Sequence, residues 1–220
     1  MTYMFELAIK FLISYLLGSI SGALTVGKFK NNTDIRDIGS GNAGATNALR
    51  TQGFFFALAV VIIDIGKGVI APLYISTWDA SLFSQEPQID RQILILICAA
   101  AAVIGHVWPM WHQFRGGKGA ATLLGAYLVI SYPLVIVMLI SFFSLLSLFG
   151  FVGLATVISG FCVCIYLLAS GIQLSSPLFL FSFSMSIYLA FTHRSNIKRL
   201  IEGTEPRNER VMIFRKQKNK

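Results

Sequence analysis

Five consecutive residues, Arg115-Gly116-Gly117-Lys118-Gly119, combine three glycines with two fixed positive charges. Without a Cβ to block the backbone, neighbouring N–H groups can turn toward one point, which suits an oxyanion. Ala120-Ala121-Thr122-Leu123-Leu124 follows and predicts a helix start, whose free N–H groups and positive dipole end favour the same charge. With Lys118 beside them, these residues suit a phosphate. The plainer alternatives are a simple turn and a pair of cations at a membrane border. A nucleotide P-loop fits less well: G-x-x-x-x-G-K-[ST] needs Gly where His112 stands and Ser or Thr where Gly119 stands, and no strand precedes.

A second stretch, Ile35 to Arg50, interleaves Gly39, Gly41 and Gly44 with Ser40, Asn42, Thr46 and Asn47. Its side chains and backbone could wrap a small polyol or phosphate, or it could be a soluble loop. Arg50 is either a border charge or a phosphate fork. Asp64 and Lys67 stand three residues apart in an apolar run, hence on one helical face, at a depth where a charge needs a partner or a polar cavity. A structural ion pair is the simpler account. His106 and His112 flank an aromatic border segment, and His106 is a weak catalytic candidate without the H-E-x-x-H metal pattern. His193 and Asn196, where the last apolar run ends, share a face if that stretch is helical. A histidine beside an amide can orient or deprotonate a hydroxyl, whereas the bland reading is a basic juxtamembrane helix. No metal or cofactor site is expected.

These stretches need elements to hold them, and the composition says what kind. Of 220 residues, 55% are hydrophobic and 13% charged, with a mean hydropathy of +0.69. That describes a polytopic membrane protein in one domain, residues 1–220, all-α, with no internal repeat. The net charge of +8 is concentrated: half of the 18 Lys and Arg residues follow Phe191, others flank the 28–52 loop, and two lie in the glycine stretch. The loop from Ser76 to Asp90 is acidic. Positive charge marks the cytoplasmic side, and the basic tail from about residue 192 reads as an orientation signal and anionic-lipid contact, with no nucleic acid as partner. Cys98, Cys162 and Cys164 lie in apolar runs and read as packed thiols. Spans are expected over about 5–26, 53–75 and 92–108, with later breaks at Ser131-Tyr132-Pro133, Gly150 to Gly153 and Ser170 to Pro177. That makes about seven transmembrane helices, N-terminus outside, with five spans plus re-entrant segments as the alternative.

Three motifs in order, G-S-G-N-A-G-A-T-N-A-L-R from Gly39, G-H-x-W-P-x-x-x-x-F-R-G-G-K-G-A-A-T from Gly105 and H-x-x-N-I-x-R-L-x-x-G-x-E from His193, together with Asp64-x-x-Lys67-Gly68, resemble the bacterial acyl-phosphate:glycerol-3-phosphate acyltransferases, the PlsY family. The resemblance spans nearly the whole chain. It implies transfer of an acyl chain from an acyl phosphate to the 1-position of glycerol 3-phosphate, giving lysophosphatidic acid and inorganic phosphate. It also implies a bacterial inner-membrane location with the site facing the cytoplasm, membrane lipids as surroundings and an acyl-phosphate-producing enzyme as partner.

By the same resemblance the catalytic set is His193, Asn196 and Ser40. Asn42, Asn47, Arg50, Lys67, Gly116, Gly117, Lys118 and Gly119 would bind substrate or phosphate, with Glu205 and Asp64 structural and His106 and Thr156 as weak candidates. Three positions depart from the family pattern: Thr192 where Arg is common, Ser195 where an acid is common, and Gly153 where a serine is usual. An organic-phosphate transporter would also need a basic glycine-lined site, but polar residues beyond Lys67 are few. An acyl-carrier-dependent acyltransferase would show H-x-x-x-x-D, which neither His106 nor His112 begins.

Overall fold

The computed structural model describes residues 2–78 and 89–213, with the side chains of Thr2 and Tyr3 left aside. Within these residues the protein is all-α and forms two compact units, Met1–Ser131 and Tyr132–Lys220. The first holds α1 (Thr2–Gly18), α2 (Gly22–Phe29), α3 (Ala45–Gln52), α4 (Phe54–Ile70), α5 (Arg91–Val107) and α6 (Ala120–Ile130). The second holds α7 (Tyr132–Phe149), α8 (Val152–Ala169), α9 (Pro177–Thr192) and α10 (Arg194–Ile201). Four of the helical stretches are long and apolar enough to cross a membrane: Phe54–Ile75, Arg91–His112, Tyr132–Phe149 and Val152–Ala169. The bent pair α1–α2 makes a fifth when taken as one span, and α6 and α9 are shorter apolar helices. The protein is thus a multi-pass integral membrane protein. Asp79 and Glu86 of the acidic loop and the last seven residues of the basic tail lie outside the described residues.

The three late breaks fall where serine, glycine and proline interrupt the apolar sequence. The first span differs from expectation: it is broken, with a 44° bend between α1 and α2. A helix break at membrane depth strands carbonyls at one end and N–H groups at the other, and lipid cannot satisfy them. Here α4 does. Lys67 donates from Nζ to the Gly18 carbonyl at 2.8 Å and the Ile20 carbonyl at 2.7 Å. One turn earlier, Asp64 Oδ1 accepts from the Gly22 N–H at 3.1 Å, and the two charges lie 3.1 Å apart. Both side chains are buried, Asp64 to 1% and Lys67 to 3% exposure.

The 28–52 segment, expected as loop alone, contains α3. Ile35, Ala43 and Ala48 are buried with Ala23 and Leu24 of α2 and Phe56, Ala57 and Val60 of α4. That apolar cluster anchors an otherwise polar connection. Small residues allow the helices of the first unit to approach closely: a Cβ on Gly18 would overlap the Ala102 carbonyl of α5, and one on Gly68 the Thr122 carbonyl of α6. The second unit packs α7 on α8 and α8 on α9.

Candidate active site

The first unit carries the glycine stretch. α5 ends at Val107, and the following chain reverses through a short 3₁₀ turn at Met110–His112. The Gly116 N–H then donates to the Val107 carbonyl and the Gly117 N–H to the His106 carbonyl, each at 3.1 Å. These two amides cap α5. The Gly116 and Gly117 N–H groups, expected to converge on a phosphate, are thus both bonded to the helix end. Glycine is needed here for closeness: a Cβ at Gly117 would overlap the His106 ring at Nε2 and come within 3.1 Å of the Ala43 carbonyl. Gly119 has φ +90°, a left-handed conformation that starts α6. Helix geometry leaves the first N–H groups of α6 without intrahelical partners, and Lys118, half-buried, immediately precedes that end.

Beneath the glycines lies His106, 3% exposed. Its Nδ1 stands 3.3 Å from Asp64 Oδ1, off-line for a hydrogen bond. Asp64 therefore serves the α2 terminus, Lys67 and the His106 ring together. Lys67, expected among the phosphate ligands, has its ammonium directed to two carbonyls and to Asp64, which matches its three donors.

The 35–50 segment lies against the glycine stretch through one residue that the spacing did not single out. Arg36 grips Asp34 with Nε and Nη2, at 3.0 Å and 2.6 Å, and its Nη1 donates to the His112 carbonyl at 2.9 Å and the Arg115 carbonyl at 3.3 Å. The Arg36 guanidinium holds the Asp34 carboxyl below its usual value against a smaller opposing effect of burial, and Asp34 raises Arg36 in return. Asn47, expected to meet phosphate, is 2% exposed and filled by its own loop: Oδ1 accepts from the Ser40 N–H at 3.0 Å, and Nδ2 donates to Ile35 and Ile38 carbonyls. It shapes the segment. Ser40 and Arg50 are exposed, Asn42 is half-buried, and Arg50 stands in the last turn of α3. The signal for Arg36 was its Asp-x-Arg spacing at a turn, which reads equally as a border charge.

The second unit carries the histidine. His193 ends α9 and begins α10, and is 6% exposed. Its Nδ1 lies 2.8 Å from the Leu189 carbonyl. A carbonyl only accepts, so Nδ1 carries the hydrogen and, in the neutral ring, Nε2 carries the lone pair. Asn196 follows in the first turn of α10, its N–H bonded to the His193 carbonyl at 2.9 Å. Its Nδ2 donates to Glu205 Oε1 at 2.6 Å, while Glu205 Oε2 accepts from Arg199 Nε at 2.7 Å. Glu205 therefore orients the Asn196 amide, and Arg199 holds Glu205. Thr156 does not offer a hydroxyl outward: its Oγ1 donates to the Val152 carbonyl one turn back.

Known proteins resemble this chain over almost its whole length. A family model described as glycerol-3-phosphate acyltransferase matches residues 8–203. The glycerol-3-phosphate acyltransferase of Parasynechococcus marenigrum (strain WH8102) is 37% identical over 195 residues, 89% of this chain and 86% of that protein. The enzyme of the same name from Crocosphaera subtropica is 36% identical over 204 residues, 91% and 93% of the two chains. Among solved structures, PlsY, an integral membrane glycerol 3-phosphate acyltransferase in its glycerol 3-phosphate form, superposes with a TM-score of 0.78 at 28% identity, covering 91% of this chain and 94% of PlsY. Its lysophosphatidic acid form gives 0.77. The glycine stretch, His193 and Asn196 lie inside the matched residues 8–203, and by sequence and fold alike this chain is a member of the glycerol-3-phosphate acyltransferase family.

Proposed function

We propose that the protein transfers an acyl group from an acyl phosphate to the 1-hydroxyl of sn-glycerol 3-phosphate, releasing inorganic phosphate and lysophosphatidic acid. The hydroxyl oxygen attacks the acyl carbonyl carbon, the bond from that carbon to the phosphate oxygen breaks, and the phosphate leaves with the bonding pair. An acyl phosphate is already a mixed anhydride, so the residues need only hold two anions against their repulsion and align hydroxyl with carbonyl. Lys118 and the N-terminus of α6 supply positive potential in the first unit, with Ser40, Asn42 and Arg50 as further candidate contacts to substrate.

The hydroxyl proton goes to His193 Nε2 or to the departing phosphate. The observation that supports the histidine is the Nδ1 contact with the Leu189 carbonyl, which sets the tautomer a base requires. Asn196, oriented by Glu205, presents its amide oxygen as a fixed acceptor. The reading places the protein in a bacterial inner membrane, with the basic loops and the site at the cytoplasmic face. An acyl-phosphate-producing enzyme would be its supplier.

Purified protein should release phosphate from palmitoyl phosphate only when glycerol 3-phosphate is present, and His193→Ala should lose about two or more powers of ten in turnover. Normal turnover by that variant would end the role of His193. Acyl transfer from acyl-CoA but not palmitoyl phosphate would end the choice of donor.

A further inference from the structure

Asn196 is touched from two directions inside the second unit. On one side stands Glu205, already described. On the other is the first turn of α8: a Cβ built on Gly153 would come within 2.7 Å of Asn196 Cβ, 2.9 Å of its Cγ and 3.0 Å of its Nδ2. The absence of a side chain at residue 153 lets the amide sit directly against the α8 backbone.

Both supports converge on one short segment. After Glu205 and Pro206 the chain crosses the α7–α8 turn. Arg207 Nε donates to the Phe149 carbonyl at 3.0 Å, the Asn208 N–H to the Gly150 carbonyl at 2.8 Å and the Ile213 N–H to the Ser147 carbonyl at 3.1 Å. The Arg207 guanidinium also stands 5.6 Å from the centre of the Phe151 ring. Three carbonyls at the end of α7 thus find donors in residues 207–213. The circuit closes from Asn196 to Glu205, through Arg207 to the Phe149–Phe151 turn, into α8 at Gly153 and back to Asn196. Residues 207–213 lie beyond the stretch matched by the family model, which ends at residue 203.

We infer that Arg207 is a positioning residue for the Asn196 amide, fixing the α7–α8 turn so that α8 and Glu205 hold that amide between them. This rests on the proposed place of Asn196 in the reaction. Arg207 touches no reacting atom and acts only by keeping two supports in register. A guanidinium that both donates to a carbonyl and lies near an aromatic ring is poorly replaced by a neutral side chain.

The test is a double-mutant cycle on turnover with palmitoyl phosphate and glycerol 3-phosphate, using Arg207→Ala, Asn196→Ala and the combination in the full-length protein. Arg207→Ala should lower kcat about tenfold or more with the KM for glycerol 3-phosphate little changed. It should cost nothing further once Asn196 is alanine, because residues that act as a unit do not add. Arg207→Lys should recover part of the loss, and Arg210→Ala, which removes the same charge next door, should behave as the parent. Full additivity of Arg207→Ala and Asn196→Ala overturns the inference, as does parental kcat in Arg207→Ala. Parental kcat in Asn196→Ala overturns the reading of the site instead. Should Arg207→Ala fold poorly, Gly153→Ala probes the same contact from α8: it should also lower kcat, and an unchanged kcat there counts against the inference.

Discussion

Asp64, expected to be structural, and Lys67, expected to meet phosphate, are both engaged by the backbone of a broken helix. Both charges sit where a membrane offers no water, and each binds a terminus of a broken helix. Replacing Lys67 by methionine leaves a buried carboxylate without its cation and two carbonyls without a donor, which should cost about 3–5 kcal/mol. Unfolding in detergent micelles would measure that loss, and Asp64→Asn/Lys67→Met should recover part of it. A Lys67→Met protein as stable as its parent, yet with a raised KM for either phosphate substrate, would return Lys67 to the binding residues. Gly117 makes the complementary case. Its amide is spent on the His106 carbonyl, but its missing side chain leaves room for the His106 ring. Gly117→Ala should therefore lower turnover by about two powers of ten through displacement of that ring or loop, read as kcat in the palmitoyl phosphate assay. Residue spacing disclosed that these glycines and charges mattered. Whether an amide or a buried charge faces a ligand or a helix end depends on contacts as distant in sequence as the 42 positions between Gly22 and Asp64, and no local pattern records them.

At the scale of elements, punctuation decided what could be read. Ser131, Gly150 and Ser170 to Pro177 interrupt the apolar sequence, and helices end at each. The break at Ser19–Ser21 was hidden because small and apolar residues continue through it, and what stabilises it lies on another helix. α3 was hidden for the opposite reason: Ala-Thr-Asn-Ala-Leu-Arg-Thr-Gln is too polar to show an apolar stripe, and the α2–α4 cluster beneath it supplies the burial. Arg36 joins that segment to the glycine stretch, bonding Asp34 on one edge and two carbonyls on another. Lysine cannot span both, so Arg36→Lys should lower turnover about tenfold or more. The same pair predicts an acid dependence. Because Arg36 favours the charged form of Asp34, folded Asp34 titrates below the unfolded group. Its contribution to stability is complete above about pH 4 and is lost as acid protonates the folded carboxylate. Stability followed from pH 5 downward should fall less steeply in Arg36→Gln than in the parent, and an identical slope would remove Asp34 from the acid response.

For the whole molecule, the number of bilayer crossings decides which connections share a side. The hydrocarbon core is about 30 Å thick. α6 has 11 residues and α9 has 16, so at about 1.5 Å per residue they reach roughly 16 Å and 24 Å. If both cross there are seven passages, if neither crosses there are five, and either odd number puts the two ends of the chain on opposite sides. One crossing without the other gives six and puts them on the same side. Charge favours the odd counts, because the 28–52 loop, the glycine stretch and the residues after α9 are all basic. The connections separate seven from five. In a background with Cys98, Cys162 and Cys164 replaced, single cysteines at the exposed positions Asn31, Tyr132 and Ser175 can be tested with a membrane-impermeant maleimide on intact cells. Seven passages require that Tyr132→Cys and Ser175→Cys react from outside while Asn31→Cys reacts only after permeabilisation. Labelling of Asn31→Cys in intact cells would reverse the orientation. Protection of both Tyr132→Cys and Ser175→Cys would instead make α6 and α9 re-entrant, each entering and leaving the membrane on one side.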